Sequence, residues 1–217
     1  KVPVGLRLGG TENTVVVTDL LADLVDRGLR FEHGILAVLD GSKALRKAVA
    51  KVFGTHALVQ RCTLHKRRNV TGYLPEARRK AIDKRLASIF ANADAATGLR
   101  DAKRLAAQLK ADHPDAAASL LEGLDEMFTV ARLGITGALR RSLTNTNCIE
   151  SMISTVRVVT GRVKTWKDGE MKKRWIATGM IEAQRSFRRV RGHTQMANLV
   201  TLIGHAVTPA NYAQAVA

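Results

Sequence analysis

Cysteine is nearly absent from this chain: Cys62 and Cys148 are the only two among 217 residues. No disulfide framework can be built from that pair, and a reducing compartment fits. Aromatic residues are also scarce, at 4%, which argues against a platform that stacks single-stranded bases. No apolar run approaches the roughly 20 residues that cross a bilayer. No secretory signal opens the sequence, so a cytoplasmic protein without membrane contact is expected. Acidic residues are heavily outnumbered, with 19 Asp and Glu against 35 Lys and Arg, for a net charge of +16. What remains, 46% hydrophobic and 25% charged residues, suits an ordinary folded protein.

Such an excess of positive charge attracts polyanions through release of counterions from phosphates. The charge is clustered. Residues 61–85 hold nine basic and two acidic residues, and residues 151–191 hold eleven and three. A solvated surface, or a basic protein of the ribosomal type, is the plainer alternative to a DNA-binding face.

The order of elements reads first as α/β. "VPVGLRL" (2–8) reads as a short strand closed by Gly9-Gly10, with Thr11 as the cap of a helix running to about Arg27. "GILAVLD" (34–40) is an apolar run of the kind found in strands buried on both faces. Ser42 then caps a helix carrying Leu45, Val49, Val52 and Phe53, which Gly54 closes, and "HALVQRC" (56–62) is a further strand. Strand, helix, strand, helix, strand implies parallel pairing. From about 70 to 146 only helical periodicity appears. A later helix begins near Asn147, another carries Met171, Trp175 and Phe187, a last one lies around Met196–Ile203, and the tail "PANYAQAVA" reads as loosely held.

Three places carry candidate chemistry. Asp40 ends a central strand, where open α/β sheets gather ligands; it also fits a simple Asp-Gly turn. Glu150 lies three residues after Asn147, which is the spacing of a capping box. It could equally aim a first-turn carboxylate back at the sheet beside Asp40. Cys62 and His65 are three apart and precede Lys66, Arg67 and Arg68. A zinc site needs about four ligands, and no second pair is present. A Cys–His nucleophile, a buried Cys with a capping His, and a His beside a phosphate stay open on spacing alone.

Two blocks, "LAVLDGSKALRKAVAKVFGTHALVQRCTLHKRRNV" and "TNTNCIESMISTVRVVTGRVKTW", together resemble the prokaryotic Mutator-type transposases. That resemblance extends over most of the chain. It implies an α/β, ribonuclease-H-like catalytic core of the DDE type. Residues 1–69 would be the first part of the core and 70–146 an all-helical insertion. Residues 147–191 would be the core helix with Glu150 and a basic DNA-binding segment, and 192–217 a C-terminal helix and tail. It further implies Asp40 and Glu150 as catalytic and metal-binding carboxylates, working with two Mg²⁺ ions that Mn²⁺ can replace. Cys62 and His65 match a motif that lies near the scissile DNA in related transposases. With Lys66, Arg67, Arg68, Asn69, Arg157, Arg162 and Lys164 they form the expected DNA-contacting set. The implied partner is double-stranded DNA, both transposon ends and target, with a homo-oligomer in the full-length, nucleoid-associated bacterial protein.

The sequence departs from that pattern in one respect. The family's first catalytic Asp belongs on the first core strand, whereas Asp19, Asp23 and Asp26 fall on the first helix. The chain also starts at Lys rather than Met. An N-terminally incomplete core, inactive by itself, is therefore expected. A non-catalytic DNA-binding remnant and a structure-specific nuclease of the same fold are the alternatives.

Overall fold

The computed structural model describes residues 1–9 and 13–208. It contains eleven α-helices and two strands among those residues, in this order: α1 (Thr14–Asp26), β1 (Ile35–Leu39), α2 (Lys43–Phe53), β2 (Ala57–Arg61), α3 (Thr63–Gly72), α4 (Glu76–Ala91), α5 (Ala95–Leu109), α6 (Pro114–Leu121), α7 (Thr129–Arg132), α8 (Gly137–Leu143), α9 (Asn147–Thr160), α10 (Gly169–Arg185) and α11 (Met196–Val207). The protein is thus mostly helical around a small parallel sheet.

β1 and β2 pair in parallel, with Ile35 opposite Ala57 and Leu39 opposite Arg61. The connection between them is α2, as a parallel pair requires. Ser42 caps α2, its hydroxyl accepting the Leu45 N–H at 3.3 Å, and Gly54 follows its last turn. Ala48, Val49 and Phe53 form the buried face of α2. The Phe53 ring meets Phe31 edge-on at 5.1 Å.

The strand expected at 2–8 does not form; residues 1–9 have no regular secondary structure. A strand needs a ladder partner, and no described strand lies beside this segment. Pro3 also lacks a donor. The segment is tied to α1 instead. Arg27 Nη2 donates to Val4 O at 2.6 Å, and Arg7 pairs with Asp19 at 3.1 Å. Thr11 and the tail 209–217 lie outside the described residues. The cap of α1 is Asn13, whose side chain accepts from Val16 N at 3.0 Å.

Two cores result. One is built within residues 70–131 from α4, α5, α6 and their neighbours, with Leu86, Leu105, Leu120 and Phe128 fully buried. The other joins Val130, Leu133, Ile135 and Leu139 to Leu199, Ile203 and Val207 of α11, with Leu36 and Leu58 of the strands against it. Helix α11 therefore covers a face of the sheet. Between Arg61 and Asn147 every regular element is helical.

The outer edge of β2 is also occupied. Gln60 is fully buried; its amide donates to Met127 O and accepts the Val130 N–H, while the Thr129 hydroxyl donates to Val59 O. These bonds dock residues 127–130 along the strand and satisfy polar groups that burial would otherwise leave unpaired.

Candidate active site and nucleic-acid interface

Asp40 follows the last residue of β1 and is exposed. Its Oδ1 accepts the Ser42 N–H at 3.0 Å. The chain turns here through Gly41, at φ +107°. Across the sheet, Cys62 N donates to Leu39 O at 2.6 Å, so the ends of β1 and β2 are stitched together. Cys62 is buried, at 1% exposure, and is the residue just before α3.

The segment entering α9 is stitched to the same place. Thr63 donates to Thr144 O through both its N–H (2.9 Å) and its hydroxyl (3.0 Å). Two residues later stands Thr146, at 8% exposure. Its Oγ1 lies 3.4 Å from Cys62 Sγ, 3.3 Å from His65 Nδ1 and 3.2 Å from Glu150 Oε1. A hydroxyl has one hydrogen and two lone pairs. That hydrogen is donated to the Glu150 carboxylate or to Cys62 Sγ, and the direction of the contact with His65 Nδ1 follows the tautomer of the ring. His65 Nδ1 also stands 3.7 Å from Glu150 Oε1. One buried hydroxyl thus connects the Cys-x-x-His segment to the glutamate.

The capping-box alternative for Glu150 is excluded by this geometry. Asn147 is the first helical residue rather than the cap, and its N–H is held by Asn145 Oδ1 at 3.0 Å. The Glu150 side chain binds the Thr146 hydroxyl and, among the described residues, no backbone donor.

Lys66, expected among the DNA-contacting residues, turns away from the surface. It is 5% exposed and points inward. Its ammonium donates to Ser119 O (2.7 Å), Glu122 O (2.6 Å) and Glu122 Oε2 (3.1 Å), so it caps the carbonyl end of α6. Arg61, at 6% exposure, lies next to it. Arg61 donates through Nη1 to Glu122 (2.6 Å) and through Nε to Glu126 (2.7 Å), and Arg46 also reaches Glu126 at 2.8 Å. Burial pushes the Lys66 ammonium below its usual pKa, and the Glu122 contact only partly offsets that. Glu122 moves the same way for another reason: burial would raise it, but hydrogen bonds from Arg61 and Lys66 outweigh burial and lower it. The two ends of one ion pair thus differ in sign of benefit, because Lys66 is enclosed while the Glu122 side chain is 42% exposed. Arg67 is likewise engaged, in a two-pronged pair with Asp83. Arg68, Asn69, Arg157, Arg162 and Lys164 are exposed.

A family model described as "Transposase, Mutator family" matches residues 1–190. The chain belongs to the Mutator transposase family. The transposase for insertion sequence element IS6120 of Mycolicibacterium smegmatis is 29% identical over 170 residues, covering 73% of this chain and 51% of that protein. The chain spans about half the length of that curated relative.

For this Mutator-family chain the fit to a divalent cation can be tested on the donors present. Asp40 and Glu150 each have one carboxylate oxygen engaged and one without a partner among the described residues. Their oxygen donors are of the kind Mg²⁺ takes. Their number falls short: among the described residues no three His, Cys, Asp or Glu side chains gather into a metal-holding group. Asp19 and Asp23 are engaged on α1 by Arg7 and Arg27. The donor type fits and the donor count does not, so no chemical step is assigned to an ion. Among the described residues no helix is long and apolar enough to cross a membrane.

Sequence reasoning missed Thr146, Arg61 and Glu122. Thr146 had a faint signal, as the small polar residue ahead of an acidic helix start. The Arg61–Glu122 pair had none, because its members are 61 positions apart.

Proposed function

We propose that this chain is part of the catalytic core of a DNA transposase, with a ribonuclease-H-like arrangement of the DDE type. Asp40 and Glu150 are two of its metal-holding carboxylates, and Mg²⁺ or Mn²⁺ is the ion they serve. Asp40 and Glu150 would hold such an ion once a further donor completes the site, and it would supply Lewis-acid chemistry at a phosphodiester. The observation that carries the reading is the Thr146 hydroxyl, which joins Cys62, His65 and Glu150 at the same strand ends from which Asp40 emerges.

In this reading the residues of the chain have separate tasks. Asp40 and Glu150 present oxygens. Thr146 fixes the orientation of Glu150, and His65 stands beside it. Exposed basic residues, Arg68 on α3 and Arg157, Arg162 and Lys164 on and after α9, offset the repulsion between DNA phosphates and the carboxylates. With two carboxylates and no third among the described residues, the chain alone holds duplex DNA and does not nick it.

Iron footprinting tests this without relying on activity. Fe²⁺ replaces Mg²⁺ and, with peroxide and ascorbate, cuts polypeptide near where it binds. Cuts should fall near residues 40 and 150, fade on addition of Mg²⁺, and vanish in an Asp40→Asn/Glu150→Gln variant. Unchanged cuts in that variant would defeat the assignment. The missing third donor favours a second reading, a DNA-binding remnant without chemistry; duplex binding with no iron-directed cutting would select it. Nicking by the chain alone that Asp40→Asn abolishes would refute the expected inactivity.

A further inference from the structure

Between α3, the end of α4, and α8 runs an open cleft of about 520 Å³. Arg67, Arg140, Arg141, Asn145 and Asn147 line it, and no lining residue is acidic. Asn147 is the first residue of α9, so the cleft ends at the helix that carries Glu150 one turn on. Neither Arg140 nor Arg141 belongs to the clusters that stand out in the sequence.

The three arginines are held differently. Arg67 has Asp83 as its counter-charge. Arg140 is 8% exposed and donates to the carbonyls of Phe90 and Asn92, with no carboxylate partner among the described residues. Burial lowers its pKa, but a guanidinium stays charged in proteins. Arg141 is exposed, and its guanidinium has no partner among the described residues. The N-terminus of α9, a helix of 14 residues, adds its positive end; its Thr146 cap makes no side-chain bond there, and Asn145 Oδ1 holds the first N–H. An enclosed positive charge without a protein counter-charge is costly. Together these groups form an acid-free wall of positive potential beside Glu150, with Phe90 and Ala91 as an apolar floor.

We propose that this cleft seats the sugar–phosphate backbone of a DNA strand next to the Glu150 site. Arg141 is the phosphate contact, and Arg140 with the start of α9 supplies the surrounding potential. This rests on the reading that the chain acts on DNA, and it adds α8 to the expected DNA-contacting residues, of which Lys66 is buried. Inorganic phosphate shares the chemistry, so the test separates the two.

Binding of a fluorescein-labelled duplex is followed by anisotropy across a salt series. Three variants are compared with the parent chain. Arg141→Ala removes the contact. Ala91→Trp fills the cleft without changing charge. Lys103→Ala removes one exposed charge on α5, outside the cleft. Arg141→Ala should weaken binding about five- to tenfold near physiological salt and lower the slope of log K against log salt by about 0.9. Ala91→Trp should weaken binding comparably, and Lys103→Ala by less than about twofold. Equal effects of Arg141→Ala and Lys103→Ala would overturn the proposal, because they would show a general charge effect. So would full binding by Ala91→Trp, the absence of any salt-sensitive duplex binding, or displacement of the duplex by millimolar inorganic phosphate at constant ionic strength. Iron footprinting reports separately on Asp40 and Glu150, so the cleft can stand while the metal reading falls, or the reverse.

Discussion

Glu122→Gln isolates one charge in the network that joins the sheet to the helical region. The parent carboxylate accepts from Arg61 at 2.6 Å and from Lys66 at 3.1 Å. Both cations are almost fully enclosed, with side chains 8% and 5% exposed. Removing one partner of a buried pair costs about 3–5 kcal/mol, because the other charge is left uncompensated. The Glu122 side chain is 42% exposed, so water already screens part of that interaction. Arg61 also keeps Glu126, and Lys66 keeps its two carbonyls. The expected loss is therefore about 2 kcal/mol. With a urea dependence of about 2 kcal/mol per molar, the midpoint should fall by about 1 M.

The pH dependence sharpens the test. The folded-state pKa of Glu122 is depressed, so its stabilisation is complete above the unfolded value, near 4.3, and is lost as pH falls through the folded value. Parent and variant should differ by a constant amount at neutral pH and converge only below about pH 4. Lys66→Met should couple to Glu122→Gln, since each leaves the other's charge stranded; the double variant should lose less than the sum by about 1 kcal/mol. Circular dichroism in urea at several pH values measures all of this. A midpoint shift below about 0.2 M at neutral pH, or a parent–variant gap that persists at low pH, would refute the reasoning.

Gly123→Ala should destabilise by about 2 kcal/mol or more, because Gly123 sits at φ +60° and a Cβ there would collide with the Arg61 guanidinium; thermal unfolding measures it. Cys62→Ser should leave the fold intact, with a loss under about 1.5 kcal/mol, and protein purified without chelator should carry no stoichiometric zinc by elemental analysis. Thr146→Val should reduce iron-directed cutting near Glu150 several-fold with cutting near Asp40 less affected, and Thr146→Ser should restore it; equal behaviour of Val and Ser would remove the hydroxyl from the site.

The strand–helix–strand around α2 was legible because each signal is local. "ILAVL" is apolar throughout, Ser42 and Gly54 bracket an amphipathic helix, and "ALVQR" follows at once. The helical character of residues 70–146 was legible for the same reason. The strand expected at 2–8 was not, since composition states a preference while a strand needs a neighbour to bond. Glu150 could be located but not interpreted. Its spacing from Asn147 matched a cap, and only the position of Thr146 decided against it. The basic run at 66–68 gave no sign of where each cation would turn. Three consecutive cations read as one solvated face, yet successive helical residues point about 100° apart. Lys66 turns inward to α6, Arg67 sideways to Asp83, and Arg68 outward.

That divergence explains how one short segment serves two layers. His65 and Lys66 are successive residues of α3, so their side chains leave it about 100° apart. Cys62 and His65 face Thr146 and the start of α9. Lys66 and Val70 face α6 and the helical core. Arg61, just before them, has its guanidinium 3.9 Å from where a Cβ on Gly41 would stand, beside the turn that carries Asp40. The helical region grips the sheet through Arg61 and Lys66, and α9 grips it through Cys62 and His65. A change on either side of α3 is then felt at the carboxylates through the other. The cysteine–histidine spacing, which invites a zinc reading, lets α3 reach Thr146 beside Glu150 while Lys66 and Val70 anchor the helical region.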